Sequence, residues 1–291
     1  MITELSILIP SYNSICTEMV KQLHAQCCSI AQPFHFEIIV ADDASTNPEV
    51  IKANQVIEQL EYCTFLHKPT NTGSASTRNF LAQHAQYEWN LFLDSDMTIP
   101  DARFVERYLE HTSHDVVNGG ISIGKGKKNN LRYLYEHNAE RHHTAELRNK
   151  DGFKEFRSTN FLIKRTLILQ CPFDERFKHS GYEDVLLGKT LSLKGVSILH
   201  INNPLVMDNF EENNKYMQKC ERNLRTLYKF RDELQGYSRL LDLANRLPHG
   251  LVRYWHRHFH LWERRLLTGN HPTLPLFNLY RLGYLLSHRK N

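Results

Sequence analysis

The chain has 291 residues, 41% of them hydrophobic and 23% charged, which excludes a disordered chain and predicts a folded protein with one core and a smaller appendage. Its net charge is +4, but residues 210–291 alone carry 15 Lys and Arg against 7 Asp and Glu, so the tail is basic and the rest is mildly acidic. The acidic body and the absence of a recognised binding motif argue against nucleic acid as a partner. Any contact with an anionic lipid surface is expected in the tail.

Apolar runs and helical patterns alternate along the first hundred residues. Strands are predicted at residues 5–9, 37–41, 63–67 and 89–93. Helices are predicted through Met19, Leu23 and Cys27, over residues 50–60, and from about Gly73. Strands and helices at this spacing predict βαβ units and a parallel, doubly wound sheet.

Beyond residue 100 the alternation becomes less regular. Helices are predicted over residues 101–111, within 125–154, and over 181–194, where Gly195 ends the helix. Strands are predicted at residues 115–118, 121–123, 156–163 and 196–201. From about residue 210 the patterns are helical, basic and aromatic.

The location of the protein is predicted from its cysteines and its hydropathy. The six cysteines show no CxxC spacing, so we expect reduced thiols rather than a disulfide framework. No apolar stretch approaches the roughly 20 residues that span a bilayer, and residues 1–4 lack the basic segment of a signal peptide. We therefore expect a cytoplasmic protein.

Two acidic motifs directly follow apolar strands. Asp42-Asp43 ends the strand at residues 37–41, and Asp94-Ser95-Asp96 ends the strand at 89–93. The carboxyl ends of strands in an open α/β sheet are where ligands bind, and aspartates supply the hard oxygen ligands that suit Mg²⁺ or Mn²⁺. The motifs predict a divalent-metal site at this edge. Capping of the helices that follow is the alternative for both motifs, and a polar turn is a further alternative for Asp94 and Asp96.

Six motifs together resemble the family 2 glycosyltransferases, which have the GT-A fold. They lie in the family's order at residues 6–13, 37–45, 71–79, 94–96, 172–177 and 181–188. The resemblance implies an α/β fold with a mixed, mainly parallel sheet flanked by helices, and a helical C-terminal extension. It implies a catalytic domain at residues 1–209, with a nucleotide-sugar donor half at 1–100 and an acceptor half at 101–209. A basic helical extension then occupies residues 210–291.

The activity that the resemblance implies is inverting, metal-dependent glycosyl transfer. A hexosyl or N-acetylhexosaminyl group would move from a nucleotide-diphospho-sugar, by expectation a UDP-sugar, to a hydroxyl of a glycan or lipid-linked acceptor. Polysaccharide or cell-surface glycan biosynthesis would use such a reaction. Mn²⁺ or Mg²⁺ is the expected cofactor, because a divalent cation neutralises the charge that develops on the leaving diphosphate.

The resemblance also implies roles for the metal motif. Asp96 is the expected direct metal ligand, and Asp94 the expected partner of the ribose hydroxyls or of metal-bound water, with Ser95 between them in the nucleotide site. Many relatives have a histidine in the metal shell where this chain has Asp208. Asp208 is therefore either an oxygen ligand of the metal or a loop residue.

The nucleotide base is expected near the ends of the first two strands. By resemblance, Asp43 accepts the imide N–H of uracil, while Asp42 orients the loop. Pro10 lines the base pocket through its carbonyl and Tyr12 through its ring, although an aromatic residue there is also typical of a core edge. Arg78 contacts the base-side loop or the diphosphate, with a surface position as the alternative.

The acceptor hydroxyl must lose a proton as it attacks, so the reaction needs a carboxylate as general base. Asp184 is the candidate that the resemblance implies, and Glu183 is the second candidate or a residue that binds the acceptor. Two acids in the first turn of a helix also interact favourably with the helix dipole, which is the alternative for both residues.

Other interpretations concern the tail and the function. Residues 255–265 are basic and aromatic, which is typical of a helix on an anionic membrane surface or of one packed on the protein. His256 and His260 share a helix face, as metal ligands or as packed residues. The rival functions are a non-catalytic polyanion or membrane-surface binding protein with a degenerate GT-A domain, and a sugar nucleotidyltransferase. The latter should have a Gly-rich, basic segment where this chain has Pro10-Ser11-Tyr12-Asn13.

Overall fold

The computed structural model describes residues 1–178, 181–246 and 249–288. The chain divides into two compact units, each made of two stretches of sequence. The first is Met1–Ser122 with His143–Met207, and the second is Ile123–His142 with Asp208–Asn291. The expected junction at residue 209 lies beside the Met207–Asp208 boundary, but the sequence analysis placed residues 123–142 in the acceptor half rather than with the tail.

The described residues form nine strands. They are β1 (Glu4–Ser11), β2 (His35–Asp42), β3 (Cys63–His67), β4 (Trp89–Leu93), β5 (Val116–Asn118), β6 (Ile121–Ile123), β7 (Asn160–Lys164), β8 (Ile198–His200) and β9 (Leu205–Met207). Seven of them form one sheet in the order β3-β2-β1-β4-β7-β5-β8, and β6 pairs with β9. Every pairing among β1 to β4 is parallel, as is that of β5 with β8, whereas β7 runs antiparallel to β4 and β5. The predicted mixed, mainly parallel sheet is confirmed.

Twelve α-helices complete the described parts of the chain. They are α1 (Thr17–Cys28), α2 (Pro48–Gln55), α3 (Ser74–His84), α4 (Phe104–Leu109), α5 (Leu131–Glu140), α6 (Ala145–Asp151), α7 (Arg165–Gln170), α8 (Glu183–Leu193), α9 (Asn213–Lys229), α10 (Arg239–Arg246), α11 (His249–Thr268) and α12 (Leu274–Ser287). Two short 3₁₀ helices follow α2 and α6, at Val56–Gln59 and Gly152–Glu155.

Several sequence-based predictions of elements were wrong in their extent; the helix expected at 101–111, for example, covers only Phe104–Leu109. The predicted helix at 50–60 loses its α form at Gln55, where the 3₁₀ turn begins. The single helix expected within 125–154 is two, because the Thr144 side chain accepts a hydrogen bond from the Leu147 N–H and starts α6. The strand expected at 156–163 begins only at Asn160, since Phe156 closes the preceding 3₁₀ turn. Helix α7 was not predicted.

The core of the first unit lies on the central strands. The aliphatic residues of β1 and β4 and Phe92 are fully buried, which is why these strands are mainly apolar runs rather than alternating ones. Phe92 and Phe161 face each other in the β4–β7 register and stack with ring centroids 4.9 Å apart. The central sheet therefore provides a rigid support for the loops at its edges.

A buried polar network ties α4 to β7 and to two loops. The Tyr108 hydroxyl donates to Asn160 Oδ1 at 2.6 Å. The Asn160 amide nitrogen donates in turn to the carbonyls of Gly120 and Asn203, each at 2.9 Å. Each partner is buried, so none of these groups has water to replace a lost hydrogen bond.

The second unit has its own apolar cluster. Its buried members come from α5, α9, α11 and α12: Leu131, Tyr216, Met217, Leu267, Phe277 and Tyr280. His256 is also buried here, with Nδ1 3.3 Å from Glu263 Oε2, and burial is the main cause that lowers its pKa to about 4. His256 is thus a packed residue. Within the described residues, no helix has the length and hydropathy needed to cross a bilayer.

We predict that Tyr108→Phe lowers the free energy of unfolding by about 1 to 3 kcal/mol, because Asn160 Oδ1 loses its buried donor. Urea denaturation at neutral pH measures the change. Tyr62→Phe is the matched control, since Tyr62 is 64% exposed and should change stability by less than about 0.5 kcal/mol. Equal changes in the free energy of unfolding for the two variants would contradict a stabilising role of the buried Tyr108–Asn160 hydrogen bond.

Candidate functional site

The loops that follow β1 and β2 are held together by Asn13. Its Oδ1 accepts hydrogen bonds from the backbone N–H groups of Thr46 at 3.0 Å and Asn47 at 3.1 Å, and its own N–H donates to Ser45 Oγ at 2.7 Å. Asn13 has φ of 50°, a conformation that asparagine tolerates better than most residues. This role of Asn13 was not predicted, although an asparagine in a turn after a strand is a recognisable cue.

The two residues predicted to line the base pocket lie at the carboxyl end of β1, shortly before Asn13 in the sequence. Pro10 is half-buried at the end of the strand, and the Tyr12 ring is 48% exposed. Tyr12 is therefore not part of the core edge. Its ring is available to a ligand at the carboxyl ends of β1 and β2, which are paired in parallel.

Asp42 is fully buried and orients the loop after β2. Its carboxylate accepts hydrogen bonds from the Ser45 N–H at 2.9 Å and from the Ser45 hydroxyl, and lies 2.7 Å from His67 Nδ1. The N-cap of α2 is Asn47, whose side chain accepts from the Glu49 N–H. The alternative that the Asp42-Asp43 pair caps this helix is wrong.

Asp43 is buried within a ring of donors. Its carboxylate accepts from Lys68 Nζ at 2.7 Å, from the Thr72 N–H at 3.0 Å and from the Gly73 N–H at 2.8 Å. Burial raises the pKa of Asp43, but these hydrogen bonds outweigh it and the pKa lies below its usual range. Asp43 is thus ionised and already well bonded. Lys68, directly after β3, was missed by the sequence analysis.

Gly73 is the residue that lets the loop approach Asp43. It has φ of 90°, and a Cβ built on it would lie 2.5 Å from the Lys178 carbonyl oxygen, so no larger residue fits. Its N–H is not free for a ligand, because it donates a hydrogen bond to Asp43. The close approach that glycine permits is between two parts of the protein.

Arg78 joins the metal motif to the start of α8. Its Nη2 donates to Asp94 Oδ1 at 2.7 Å, and its Nη1 lies 3.4 Å from Glu183 Oε1. The guanidinium is buried, with its central carbon 5.4 Å from the centre of the Phe173 ring. Burial alone would lower the pKa of Arg78, but Asp94 and Glu183 raise it above its usual value. The alternative that Arg78 is a surface residue is wrong.

Glu183 is buried and fully engaged. One oxygen accepts from the Ser74 hydroxyl at 2.9 Å and from Arg78, and the other accepts from the Gly181 N–H at 2.5 Å. Tyr182, the residue before α8, has φ of 72°, so the chain turns sharply into the helix. These contacts make Glu183 a residue that holds the α8 start against α3.

Asp184 differs from its neighbour in having few donors. It is half-buried, and the Val185 N–H donates to its Oδ1 at 2.8 Å. Burial and the adjacent Glu183 charge raise the pKa of Asp184 to about 6, against the lowering effect of that hydrogen bond and of Arg78. A carboxylate with this pKa accepts a proton readily near neutral pH.

The Asp94-Ser95-Asp96 segment is fixed at both ends by backbone contacts. The Asp94 N–H donates to the Thr159 carbonyl at 3.0 Å, and Thr98 pairs with Val206 of β9. Ser95 is buried, and its carbonyl accepts from the Ser14 hydroxyl at 3.2 Å. Asp96 is exposed between these anchors.

The helix after this motif does not need it as a cap. Helix α4 begins at Phe104 and its N-cap is Arg103. The alternative that Asp94 or Asp96 caps this helix is therefore wrong.

The side chains near this motif determine whether a metal ion could bind there. Among the described residues, no group of three His, Cys, Asp or Glu side chains is placed to hold a metal by itself. Asp94 and Asp96 offer hard oxygens, but Asp94 already binds Arg78. A cation here would need further oxygens from a bound molecule such as a diphosphate, which fits Mg²⁺ or Mn²⁺ better than a closed protein site does.

Asp208, the third predicted metal ligand, follows β9 directly and is exposed. It opens the second unit, where it lines a cavity of about 660 Å³ together with Lys125, Lys127 and Asn213. Its part in metal binding stays a prediction.

We predict that Asp184→Asn stabilises the fold above its pKa. The pKa of Asp184 is raised from 3.8 to about 6 in the folded protein, so the free energy of unfolding of the wild type falls as the pH rises through this range. Asparagine does not ionise, so the variant keeps this stability. The substitution should raise the free energy of unfolding by on the order of 2 kcal/mol near pH 8 and by much less near pH 4. Urea denaturation at both pH values measures the difference.

Asp174→Asn is the matched control with the opposite sign. Hydrogen bonds from Arg176 are the main cause that lowers the pKa of Asp174, so its carboxylate stabilises the fold at neutral pH and this contribution is lost in acid. That substitution should therefore destabilise the fold near neutrality. A destabilising effect of Asp184→Asn at alkaline pH would contradict a carboxylate with a raised pKa.

Comparisons with known proteins identify sequences that are similar to part of the chain. Two proteins of Haemophilus influenzae, each described as an uncharacterized glycosyltransferase, are 33% identical to the chain over 92 and 94 residues. These matches cover 32% of this chain in each case, and 36% and 29% of the two relatives. The chain thus matches about a third of the length of these curated relatives.

Solved structures show the same fold at low identity. The mannosyltransferase PcManGT from Pyrobaculum calidifontis, in complex with GDP-Man and Mn²⁺, has a TM-score of 0.57 at 14% identity, over 98% of this chain and 81% of that one. S. aureus TarS 1-349 in complex with UDP-GlcNAc has a TM-score of 0.53 at 16% identity, over 96% and 90%. The predicted GT-A fold is confirmed.

The family itself follows from the sequence match. The model of the family "Glycosyl transferase family 2" matches residues 6–171, more than half of the chain and the part that contains Asp43, Arg78 and the Asp94-Ser95-Asp96 segment. The chain belongs to glycosyl transferase family 2.

Proposed function

We propose that the protein transfers a sugar, with inversion, from a nucleotide-diphospho-sugar to an acceptor hydroxyl. The observation that carries this proposal is the Arg78 guanidinium, which binds Asp94 of the metal motif and Glu183 at the start of α8. Through it, the end of β4 and the candidate base Asp184 belong to one cluster. A donor site and a proton acceptor are thereby held together, as transfer between two substrates requires.

The charges of this cluster support binding of a divalent cation with a diphosphate. Asp94, Glu183 and Asp184 surround Arg78, Asp96 follows Asp94 by two residues, and Arg157 is a second positive charge that acts on Asp184. Asp96 and the free part of Asp94 would hold Mn²⁺ or Mg²⁺. When bound, the cation would neutralise the charge that develops on the leaving diphosphate.

The donor is proposed to be a UDP-sugar. TarS, whose structures contain UDP or UDP-GlcNAc, and PcManGT, whose structure contains GDP-Man, share the fold and support a nucleotide-sugar donor. We place the base beside Asp43, Pro10 and Tyr12. Asp43 is ionised and could accept an imide N–H, while the exposed Tyr12 ring offers a stacking surface.

The reaction step needs a group that takes a proton from the acceptor. In our proposal, the acceptor oxygen forms a bond to the sugar C1, the bond from C1 to the diphosphate oxygen breaks, and the acceptor proton passes to the Asp184 carboxylate. The pKa of about 6 makes Asp184 ionised but basic at neutral pH. Glu183, which accepts from Ser74, Arg78 and Gly181, positions the helix start.

For the acceptor and the cellular setting we propose only broad classes. We propose a hydroxyl of a glycan or of a lipid-linked glycan, within cell-surface polysaccharide assembly. No Gln-x-x-Arg-Trp motif of the processive relatives follows Asp184, so we propose addition of single sugars. All six cysteines are free, which supports a reducing, cytoplasmic setting.

Donor hydrolysis, with water as the acceptor, tests the proposal without a known acceptor. We predict that the protein with Mn²⁺ hydrolyses at least one of UDP-GlcNAc, UDP-galactose, UDP-glucose and GDP-mannose. Asp184→Asn should lower kcat by about 10² to 10⁴, and the wild-type rate should rise with pH through an apparent pKa of about 6.

The control for this experiment is Asp174→Asn, a carboxylate outside the cluster, which should keep the wild-type pH profile. Full hydrolysis by Asp184→Asn would remove Asp184 from the role of general base. Cleavage of the donor between its two phosphates, or absence of any turnover by the wild type, would count against a glycosyltransferase.

A further inference from the structure

Helix α11 has an apolar face that the protein leaves exposed. Within this 20-residue helix, Leu251 is 78% exposed, Leu261 72% and Trp262 51%. The other large exposed side chains on it are Tyr254, Trp255, Phe259 and Leu266. At 100° per residue, all seven fall within an arc of about 160° on the helix surface. Single exposed leucines are ordinary, but a continuous face of this kind marks an interaction site.

The orientation of this face is fixed by the packing of the opposite side. His256, Glu263 and Leu267 are buried within the second unit. A Cβ built on Gly283 of α12 would lie 2.7 Å from the His256 ring, so glycine there lets the two helices approach closely. The Trp255 indole N–H donates to Glu263 Oε1 at 2.9 Å. The exposed arc therefore cannot turn inward without loss of this packing.

Positive charge accompanies the apolar arc. Arg253, Arg257 and Arg264 follow one edge of it, and Arg265 lies inside it. Glu263, the one acid in the helix sequence, is fully buried. Arg264 is bonded to Glu221, whereas the exposed Arg257 and Arg265 form no ion pair with other described residues.

A groove next to the arc adds further basic side chains. It has a volume of about 840 Å³, and its lining includes Arg253, Arg257, His258, His260, Tyr254 and Tyr284. Guanidinium groups with tyrosine hydroxyls are suited to a phosphate. A bilayer surface has phosphate groups above apolar acyl chains. The basic groove could contact the phosphates while the adjacent apolar arc contacts the acyl chains.

We propose that α11 binds the surface of an anionic phospholipid bilayer. Its tryptophan, tyrosine, phenylalanine and leucine side chains enter the interface, and the exposed Arg257 and Arg265 contact lipid phosphates. A second copy of this chain fits the face less well, because two α11 faces in contact would bring the arginines of one copy near those of the other. This proposal does not depend on the proposed function, since no nucleotide is needed for membrane binding.

Vesicle sedimentation tests the proposal with the full chain. Wild-type protein is mixed with vesicles of phosphatidylcholine alone, or of phosphatidylcholine with phosphatidylglycerol. We expect binding to the mixed vesicles only. Leu251→Ser/Trp262→Ser should weaken it by at least about 10-fold, and Arg257→Gln/Arg265→Gln by about 30-fold.

Leu193→Ser/Lys194→Gln is the matched control, because Leu193 is 77% exposed and Lys194 is also exposed, at the end of α8. It should bind vesicles within about 2-fold of the wild type. Thermal unfolding verifies that all variants are folded, which their exposed positions favour.

Three results would overturn the proposal. The first is wild-type protein that ignores anionic vesicles, and the second is binding that the α11 substitutions leave unchanged. The third is a wild-type dimer that does not bind vesicles and that Leu251→Ser/Trp262→Ser converts to a monomer, because the face would then belong to a second copy of the chain.

Discussion

The buried guanidinium of Arg78 is the contact on which the site depends. It bonds to Asp94, 16 residues away, and to Glu183, 105 residues away, so one side chain on α3 links the end of β4 to the start of α8. A buried charge without its partners is strongly unfavourable, and removing either acid would leave part of this charge uncompensated. The arginine between the acids therefore compensates their charge, and the three side chains are expected to depend on one another.

Around this contact, two carboxylates are buried and bonded to several donors, and two are more accessible. Asp43 accepts from Lys68, Thr72 and Gly73, and it joins the loops after β2 and β3. Glu183 is bonded as fully as Asp43. Asp96 is exposed, and Asp184 is half-buried with a raised pKa, so these two carboxylates have the surroundings that reacting groups need.

Much of the fold and part of the site could be predicted from the sequence, for physical reasons. The buried strands are continuous apolar runs, and β3 and β4 were predicted to the residue. Acidic motifs at strand ends placed Asp43 and Asp94 at one edge of the sheet. The partners of these acids could not be predicted, because the hydrogen bonds of Lys68 and Arg78 join distant parts of the chain. The grouping of residues 123–142 with the tail depends on packing in the same way, since Leu131 is buried among tail residues.

The measurement that tests the central claim most directly is calorimetric titration with UDP, with and without Mn²⁺, on the wild type and on Asp96→Asn, with GDP and ATP as controls. The claim is that the carboxylates around Arg78 form a joint metal and diphosphate site. It predicts that UDP binds to the wild type, that Mn²⁺ strengthens this binding, and that Asp96→Asn removes the strengthening while it retains the metal-free affinity. Absence of nucleotide binding, or an equal effect of Mn²⁺ on both proteins, would contradict the claim.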